Sequence, residues 1–549
     1  MSNLFQVHRA LLDSAVAAIS ERGFWSAFSE VSRSYGELAP VEGKAAFEAL
    51  LNRPFDLGGT GESSWIGAEV SPFGPSLGIT YQERSPDALV AAAERASRQW
   101  AAATIEQRVG IALEILARIN KASFLIAHAV EHTTGQASAM AFQAGGPHAQ
   151  DRGVEAVAYA YAEMTRVPAS VRWEKPAGRN TIRLDKDFHV VPRGIGLVIG
   201  CATFPTWNSY PALFADLVTG NAVIVKPHPA TILPLAITVK IGREVLQEQG
   251  FDPDALQLAP DTAEAPIAKV LATHPAIGLV DFTGSSAFGG WLRDRLRDKL
   301  LFTEEAGVNT IVISSTNAFA AMCQNIAFSL SLYSGQMCTT PQTIFVPTQG
   351  IATDEGHKSF EEVADGIAKA IDALLAEPAR AAAVLGAIQN PATLARVAEA
   401  RALGRVVRES TALQIDGART ATPLLLAVDG DDTSAHLEER FGPISFVVAV
   451  RDTRDAVARA TAAARSKGAI TAALYSTDEA EIAEAAVAYA RAGVALSINL
   501  TGGIYVNQSA AFSDYHVSGA NPAGNACLTD AAFVAGRFRV VCVRRPASA

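Results

Sequence analysis

Cysteine is scarce in this chain. Only Cys201, Cys323, Cys338, Cys527 and Cys542 occur in 549 residues, and no two are spaced C-x-x-C. That excludes a disulfide-stapled scaffold and a paired-cysteine metal site, and it fits a reducing compartment. An excess of basic charge is also missing. Lys and Arg number 46 against 56 Asp and Glu, a net charge of −10, which argues against nucleic acid or an anionic membrane as the main partner. There is no long apolar run; stretches such as Gly194 to Ala202 are short and broken by glycine, so no bilayer-spanning helix is expected. Met1-Ser2-Asn3-Leu4-Phe5-Gln6 lacks a basic region ahead of an apolar core, so no export signal is expected and the cytoplasm is the expected compartment. Repeats, low-complexity tracts and a G-x-G-x-x-G fingerprint are absent too. The remainder is ordinary for a globular protein, 49% apolar and 19% charged, and long enough for two or three lobes around more than one core.

Up to about residue 170 the apolar spacing is helical. Phe5 to Ile19 and Ile111 to His132 carry it, and Ser85-Pro86-Asp87 reads as a helix start running toward Trp100. His128 and His132 stand one helical turn apart, but no third metal ligand is evident, so no metal is expected. Residues 170–192 turn to charged, partly alternating segments that suit an edge ribbon able to pair with another subunit. From 193 onward strands and helices alternate. Gly194 to Gly200, Asn221 to Pro227, Leu256 to Ala259 and Gly278 to Phe282 are strands of a doubly wound parallel sheet. A second α/β region follows from about 306 to 510, and Val540 to Val543 is a last strand that can join the ribbon of its own chain or of a partner.

Ligands of such sheets bind at the carboxyl ends of the strands, where Lys226 and Gly284-Ser285 stand; the latter open a helix and could meet a pyrophosphate. Separately, Cys338 lies in Ser334-Gly335-Gln336-Met337-Cys338-Thr339-Thr340. Its neighbours are small and polar, so a ligand can approach the sulfur and backbone N–H groups can serve an oxyanion. Taken singly, a small residue in a tight turn and a solvated strand-end lysine explain these features as well.

The ordered set is more specific. Thr206-Trp207-Asn208, Val225-Lys226-Pro227, Phe282-Thr283-Gly284-Ser285, Glu304, Gly335-Gln336-x-Cys338 and Glu439-x-Phe441-Gly442-Pro443 resemble the aldehyde dehydrogenase superfamily from about residue 90 onward. The resemblance implies an α/β fold with three parts. These are a helical N-terminal part and Rossmann-like cofactor domain (1–169 and 193–305), a catalytic domain (306–510), and a small β oligomerisation ribbon with the tail (170–192 and 511–549). It also implies roles. Cys338 is the nucleophile, and Asn208 with the Cys338 N–H holds the oxyanion. Glu304 activates water, Lys226 binds the adenosine ribose, Gly284 and Ser285 the pyrophosphate side, and Glu439 the nicotinamide ribose, with Phe441 beside it. The base motif is degenerate, Glu304-Glu305-Ala306-Gly307-Val308-Asn309. Counting back from Asn309 selects Glu304, 338 − 304 = 34 residues before the nucleophile, with Glu305 as the rival.

In NAD-preferring relatives a glutamate follows the strand-end lysine by three residues. Here Pro229 stands there, so NADP is the expected cofactor, with NAD as the alternative and His228 as an extra contact. The tail, Phe512 to Asn525 and Phe533 to Arg539, resembles the aldehyde dehydrogenases of bacterial phenylacetate catabolism. That implies a CoA-linked substrate, 3-oxo-5,6-dehydrosuberyl-CoA semialdehyde, oxidised to the acid. The chain ends 549 − 539 = 10 residues after Arg539, so the ring-opening hydratase is expected as a separate protein. A homodimer or dimer of dimers is expected by the same analogy. The competing readings are a benzoyl-CoA-pathway or general aldehyde dehydrogenase and, more remotely, a cysteine-dependent thioester hydrolase or acyltransferase without nicotinamide. No CoA-binding pattern is evident, and Arg537 and Arg539 read equally well as solvated.

Overall fold

The computed structural model describes residues 3–58, 64–305 and 307–547; Ala306 of the degenerate motif lies outside the described residues. The helical region contains α1 (Pro86–Ala102), α2 (Ile105–Lys121), α3 (Ser123–Thr134) and α4 (Ala149–Thr165). Ser85 caps α1 by accepting from the Ala88 N–H at 3.2 Å, as the Ser-Pro-Asp start predicts. Helix was expected unbroken over Ile111 to His132. The structure divides it at Ala122, where φ −91° and ψ 10° end α2 and let α3 start in a new direction. The Phe5 to Ile19 segment is likewise interrupted at His8.

A hairpin, β1 (Ser170–Ala177) and β2 (Asn180–Pro192), leads into the first parallel sheet. Its strands are β3 (Ile195–Ile199), β4 (Ala222–Lys226), β5 (Leu256–Leu258), β6 (Ile277–Gly284) and β7 (Leu300–Glu305), in the spatial order β5-β4-β3-β6-β7. All pairs are parallel. Helices cover both faces, so β3 and β4 are buried at every position and read as continuous Val/Ile/Leu runs. The crossover helices include α5 (Pro205–Val218), α6 (Leu233–Glu248) and α7 (Ser286–Arg295). Helix α5 begins at Pro205, earlier than the turn expected there, and so places Asn208 in its first turn.

The second sheet has seven strands. They are β8 (Thr310–Ile313), β9 (Thr343–Pro347), β10 (Arg405–Arg408), β11 (Leu424–Asp429), β12 (Ile444–Val450), β13 (Thr471–Tyr475) and β14 (Ala495–Ile498), in the order β10-β11-β12-β9-β8-β13-β14. Only the edge strand β10 runs antiparallel to its neighbour. Helix α8 (Phe319–Ser331) connects β8 to the loop that carries Cys338 and to β9.

The last strand, β15 (Phe538–Pro546), pairs antiparallel with β2 of its own chain, from Phe538 opposite Pro192 to Pro546 opposite Leu184. The rest of the tail does not join this ribbon. Phe512, Leu528, Phe533 and Val534 pack into the core that α2, α4 and α5 share. Arg537, which reads equally well as solvated from the sequence, is fully buried. It donates to Asp216 of α5 at 2.7 Å and to Asp281 of β6 at 2.6 and 2.8 Å, and it stacks on Phe302 and Phe533. Two buried carboxylates on separate elements have drawn in the one cation that satisfies both.

Candidate active site

The carboxyl end of the first sheet collects the expected residues. Strand β4 delivers Lys226, β6 delivers Gly284 and Ser285, and β7 ends in Glu304 and Glu305. Thr283 is opposite Glu304 and Gly284 opposite Glu305, so alternation along β7 sends the two glutamates to opposite faces. Glu305 turns toward α7 and pairs with Arg293; a Cβ at Gly289 of α7 would collide with its carboxylate. Glu304 turns to the other face. Its Oε2 accepts from Asn208 Nδ2 at 3.0 Å, and its Oε1 lies 2.9 Å from His516 Nε2.

The cysteine loop is held in a costly conformation. After α8, Tyr333, Ser334 and Gly335 all take positive φ (52°, 51° and 66°). Two of these are not glycine, and each costs of the order of 1 kcal/mol or more unless the surroundings enforce it. The surroundings do. Tyr333 donates to Thr134 O at 2.5 Å and Ser334 to Leu385 O at 3.0 Å. The Gln336 amide donates to Tyr333 O and Ala387 O and accepts from the Gln389 N–H. Gly335 has no alternative, because a Cβ there would stand 2.5 Å from Gly442 O. The glycines of two distant motifs are therefore in contact. Asn309 completes the frame, donating to Cys338 O at 2.7 Å and Thr340 O at 2.9 Å while accepting from Ile470 N–H.

Cys338 is half-buried, and its Sγ lies 3.7 Å from His516 Nε2. Burial pushes its thiol well above the ordinary range, and the Glu304 carboxylate and Cys201 push the same way. Beyond it opens a cavity of about 600 Å³, lined among others by Trp25, Met140, Phe204, Trp207, Phe328 and Met337. Trp207 also meets the His516 ring edge-on, with centroids 4.5 Å apart.

His516 is the residue that sequence reasoning missed. It belongs to the tail, 178 positions after Cys338, and no spacing rule links the two. The tail reaches the site along β7. Glu305 N–H donates to Ala523 O, Glu304 bridges Gly524, and Asn525 accepts from Thr303 N–H. Buried Arg152 and Glu155 of α4 hold its other side. Arg152 donates to Asp514 O and Ser509 Oγ, and Glu155 accepts from Phe512 N–H and Thr529 Oγ1.

The remaining expected residues lie around this centre. Lys226 Nζ sits 2.6 Å from Asp261 Oδ1 and donates to Pro227 O. Pro229 follows on the same loop, half-buried. His228, which accepts from the Ala230 N–H, is held down to about 4 by burial and by Lys226, so it is neutral at pH 7. Ser285 caps α7 by accepting from Phe288 N–H, and the turn it opens is exposed, a geometry that suits an anionic pyrophosphate. Glu439 is exposed, and its charge reaches Cys338; the Phe441 carbonyl accepts from Arg396. Elsewhere, Glu131 stands beside His128 and His132, a third group that the sequence reading did not see, with ligand atoms within 4.8 Å of one another. His128 Nδ1 lies 3.3 Å from Glu131, whereas His132 contacts Ser71 and stacks on Phe47. No helix among the described residues is long and apolar enough to cross a membrane.

Comparison with known proteins identifies the family and the fold. The family model described as "Aldehyde dehydrogenase family" matches residues 80–526. A crystal structure of an NAD-dependent aldehyde dehydrogenase from Burkholderia multivorans is 52% identical, with a TM-score of 0.98 and complete coverage of both chains. The N-succinylglutamate 5-semialdehyde dehydrogenase of Burkholderia cenocepacia is 30% identical over 383 residues, 68% of this chain and 73% of its own. A Thermus 1-pyrroline-5-carboxylate dehydrogenase with bound NAD is 19% identical, covers 95% of this chain and 99% of its own, and shares the fold at a TM-score of 0.75.

Proposed function

The chain belongs to the aldehyde dehydrogenase family, and from that premise we infer that it oxidises a semialdehyde to the carboxylic acid through a covalent intermediate on Cys338. The observation that carries this reading is the meeting of Cys338, Glu304 and Asn208, with Cys338 and Asn208 on the wall of a largely apolar cavity. Cys338 Sγ adds to the aldehyde carbon and gives a thiohemiacetal. The Asn208 amide has two N–H groups; one is engaged by Glu304, and the other, with the Cys338 N–H, is assigned to the oxyanion. A bound nicotinamide supplies the hydride acceptor. Lys226, Ser285 and the exposed first turn of α7 are the residues that would hold the dinucleotide, and Glu439 its nicotinamide ribose. Glu304 then takes a proton from water, which hydrolyses the thioester on Cys338.

The substrate assigned is the CoA-linked semialdehyde of phenylacetate breakdown, on the resemblance of the tail. The cavity supports an apolar aldehyde chain. Its described lining residues include no Lys or Arg, its His148 is taken by Glu30 at 2.7 Å, and its His516 is taken by Glu304 at 2.9 Å. A dicarboxylate such as the one named for the Burkholderia relatives would find no cationic partner there. The CoA phosphates would stay outside the cavity.

NADP is the cofactor expected from Pro229, yet two observations favour NAD as a second reading. Asp261 returns a carboxylate to Lys226 from the loop after the neighbouring strand β5, where it would repel a 2′-phosphate, and His228 is neutral. The 52% identical structure is described as NAD-dependent. Exposed Val171, Ile182, Val540 and Val541 on the β1–β2–β15 ribbon support assembly into a dimer or dimer of dimers. The test is nicotinamide reduction with the CoA-linked semialdehyde, generated in place by a ring-opening hydratase, in the absence of free CoA. Reduction with either dinucleotide that Cys338→Ala abolishes supports the assignment. Turnover of simple aldehydes alone removes the pathway, and silence on every aldehyde removes the activity.

A further inference from the structure

We propose that His516 is the base that takes the Cys338 thiol proton, making a thiolate–imidazolium pair with Glu304 as the counter-ion of the imidazolium. This rests on the reading of Cys338 as nucleophile and adds a residue from the tail to its machinery.

The thiol needs such a partner. Burial opposes its ionisation, and the Glu304 carboxylate places negative charge beside it, so on its own it would hold its proton at pH 7. Glu304 serves as counter-ion and not as the acceptor, because its two oxygens already face Asn208 Nδ2 at 3.0 Å and His516 Nε2 at 2.9 Å. His516 Nε2 is 3.7 Å from the sulfur and 2.9 Å from Glu304 Oε1. In the neutral ring with hydrogen on Nδ1, the Nε2 lone pair faces both the thiol and the Glu304 carboxylate, an acceptor-to-acceptor contact that a proton arriving on Nε2 relieves. The S–H bond breaks, its electron pair stays on sulfur, and an N–H bond forms at Nε2. The new N–H is then donated to Glu304 across a gap that already has hydrogen-bond length. Nδ1 is buried and has no hydrogen-bond partner among the described residues; it carries its hydrogen before and after the transfer, and the charge the ring gains is balanced by Glu304 at Nε2. The pair survives the rest of the cycle, since hydrolysis of the thioester expels sulfur as a thiolate beside the same imidazolium.

The surroundings hold the ring for this task. Trp207 packs edge-on against it, Arg152 stacks over Trp207 at 5.1 Å, and Arg152 and its partner Glu155 tie down the flanking tail. The titratable groups around the pair are Glu304 and Glu439, Arg152 and Glu155 behind Trp207, and Cys201, whose thiol burial pushes up to about 11 and which therefore stays neutral.

The experiment is alkylation of the enzyme by iodoacetamide as a function of pH, read at the Cys338 peptide by mass spectrometry so that the exposed Cys542 does not contribute. Wild type is expected to react with an inflection below ~8.5, the value of a free thiol. In His516→Asn and His516→Gln the inflection should move above that value, the rate at pH 7 should fall at least ~10-fold, and added imidazole should restore part of it in His516→Gly. An unchanged profile in a variant whose circular dichroism matches wild type overturns the proposal, as does loss of reactivity that imidazole leaves untouched in all three variants. Alkylation needs no aldehyde, so failure of every substrate would sink the oxidative reading without touching this result.

Discussion

Replacing Arg537 by methionine tests whether the tail is clamped as described. The guanidinium is fully buried, makes three short charge-assisted hydrogen bonds to Asp216 and Asp281, and donates a fourth bond to Phe533 O. Methionine keeps much of the volume and removes the charge, so two buried carboxylates are left facing each other. Breaking a buried ion pair from one side costs ~3–5 kcal/mol, against a total stability of roughly 5–15 kcal/mol. The loss should also depend on pH. Burial raises the Asp216 carboxyl even with the arginine present. A carboxyl raised in the folded state keeps a proton that the unfolded chain releases at about pH 4. Its contribution is therefore intact below that pH and lost as pH rises through the folded value. R537M should lose more stability at pH 8 than at pH 6, and adding Asp281→Asn should recover part of it. Urea unfolding followed by tryptophan fluorescence at both pH values measures this. A variant within ~0.5 kcal/mol of wild type at both, the range of ordinary surface changes, would mean that the arginine is solvated and the clamp does not exist.

Glu304→Gln should lower turnover by ~10²–10⁴-fold, the usual contribution of a positioned base, and leave an acyl group on Cys338 visible in the intact mass. Glu305→Gln should spare turnover and lower stability through the lost Arg293 pair; stalling by Glu305→Gln alone would reverse the assignment. Asp261→Asn should raise the NADP-to-NAD ratio of kcat/KM, and an unchanged ratio would show that Asp261 does not read the ribose. Gly335→Ala should push the loop off Gly442 and cost roughly 10²-fold in kcat, the scale of a 1 Å misplacement, with the overall fold retained by circular dichroism.

Local signals were enough for most of the scaffold. The Ser-Pro-Asp start, the buried strands and the Cys338 loop each carry their own chemistry in a few consecutive residues, and they fold as their patterns imply. Counting from Asn309 selected Glu304, and alternation along β7 explains how adjacent glutamates part ways. Long-range partners left no such trace. His516, Asp261 and Arg537 act through residues 178, 35 and 256 positions away, and nothing near them marks a buried role. Arg537 is the plainest case, since a basic tail residue reads as solvated until two carboxylates from other elements are seen to surround it. Pro229 is a different case. It marks the missing carboxylate in its own loop but says nothing of Asp261, which comes from the loop after the neighbouring strand.

His516 leaves the ribosome long after Cys338. At ~5–20 residues per second, the 178 intervening residues take roughly ten to forty seconds to make. During that interval the nascent chain carries its cysteine without the partner that would arm it. Reactivity is thus scheduled by translation: the sulfur is an ordinary thiol until the tail closes along β7.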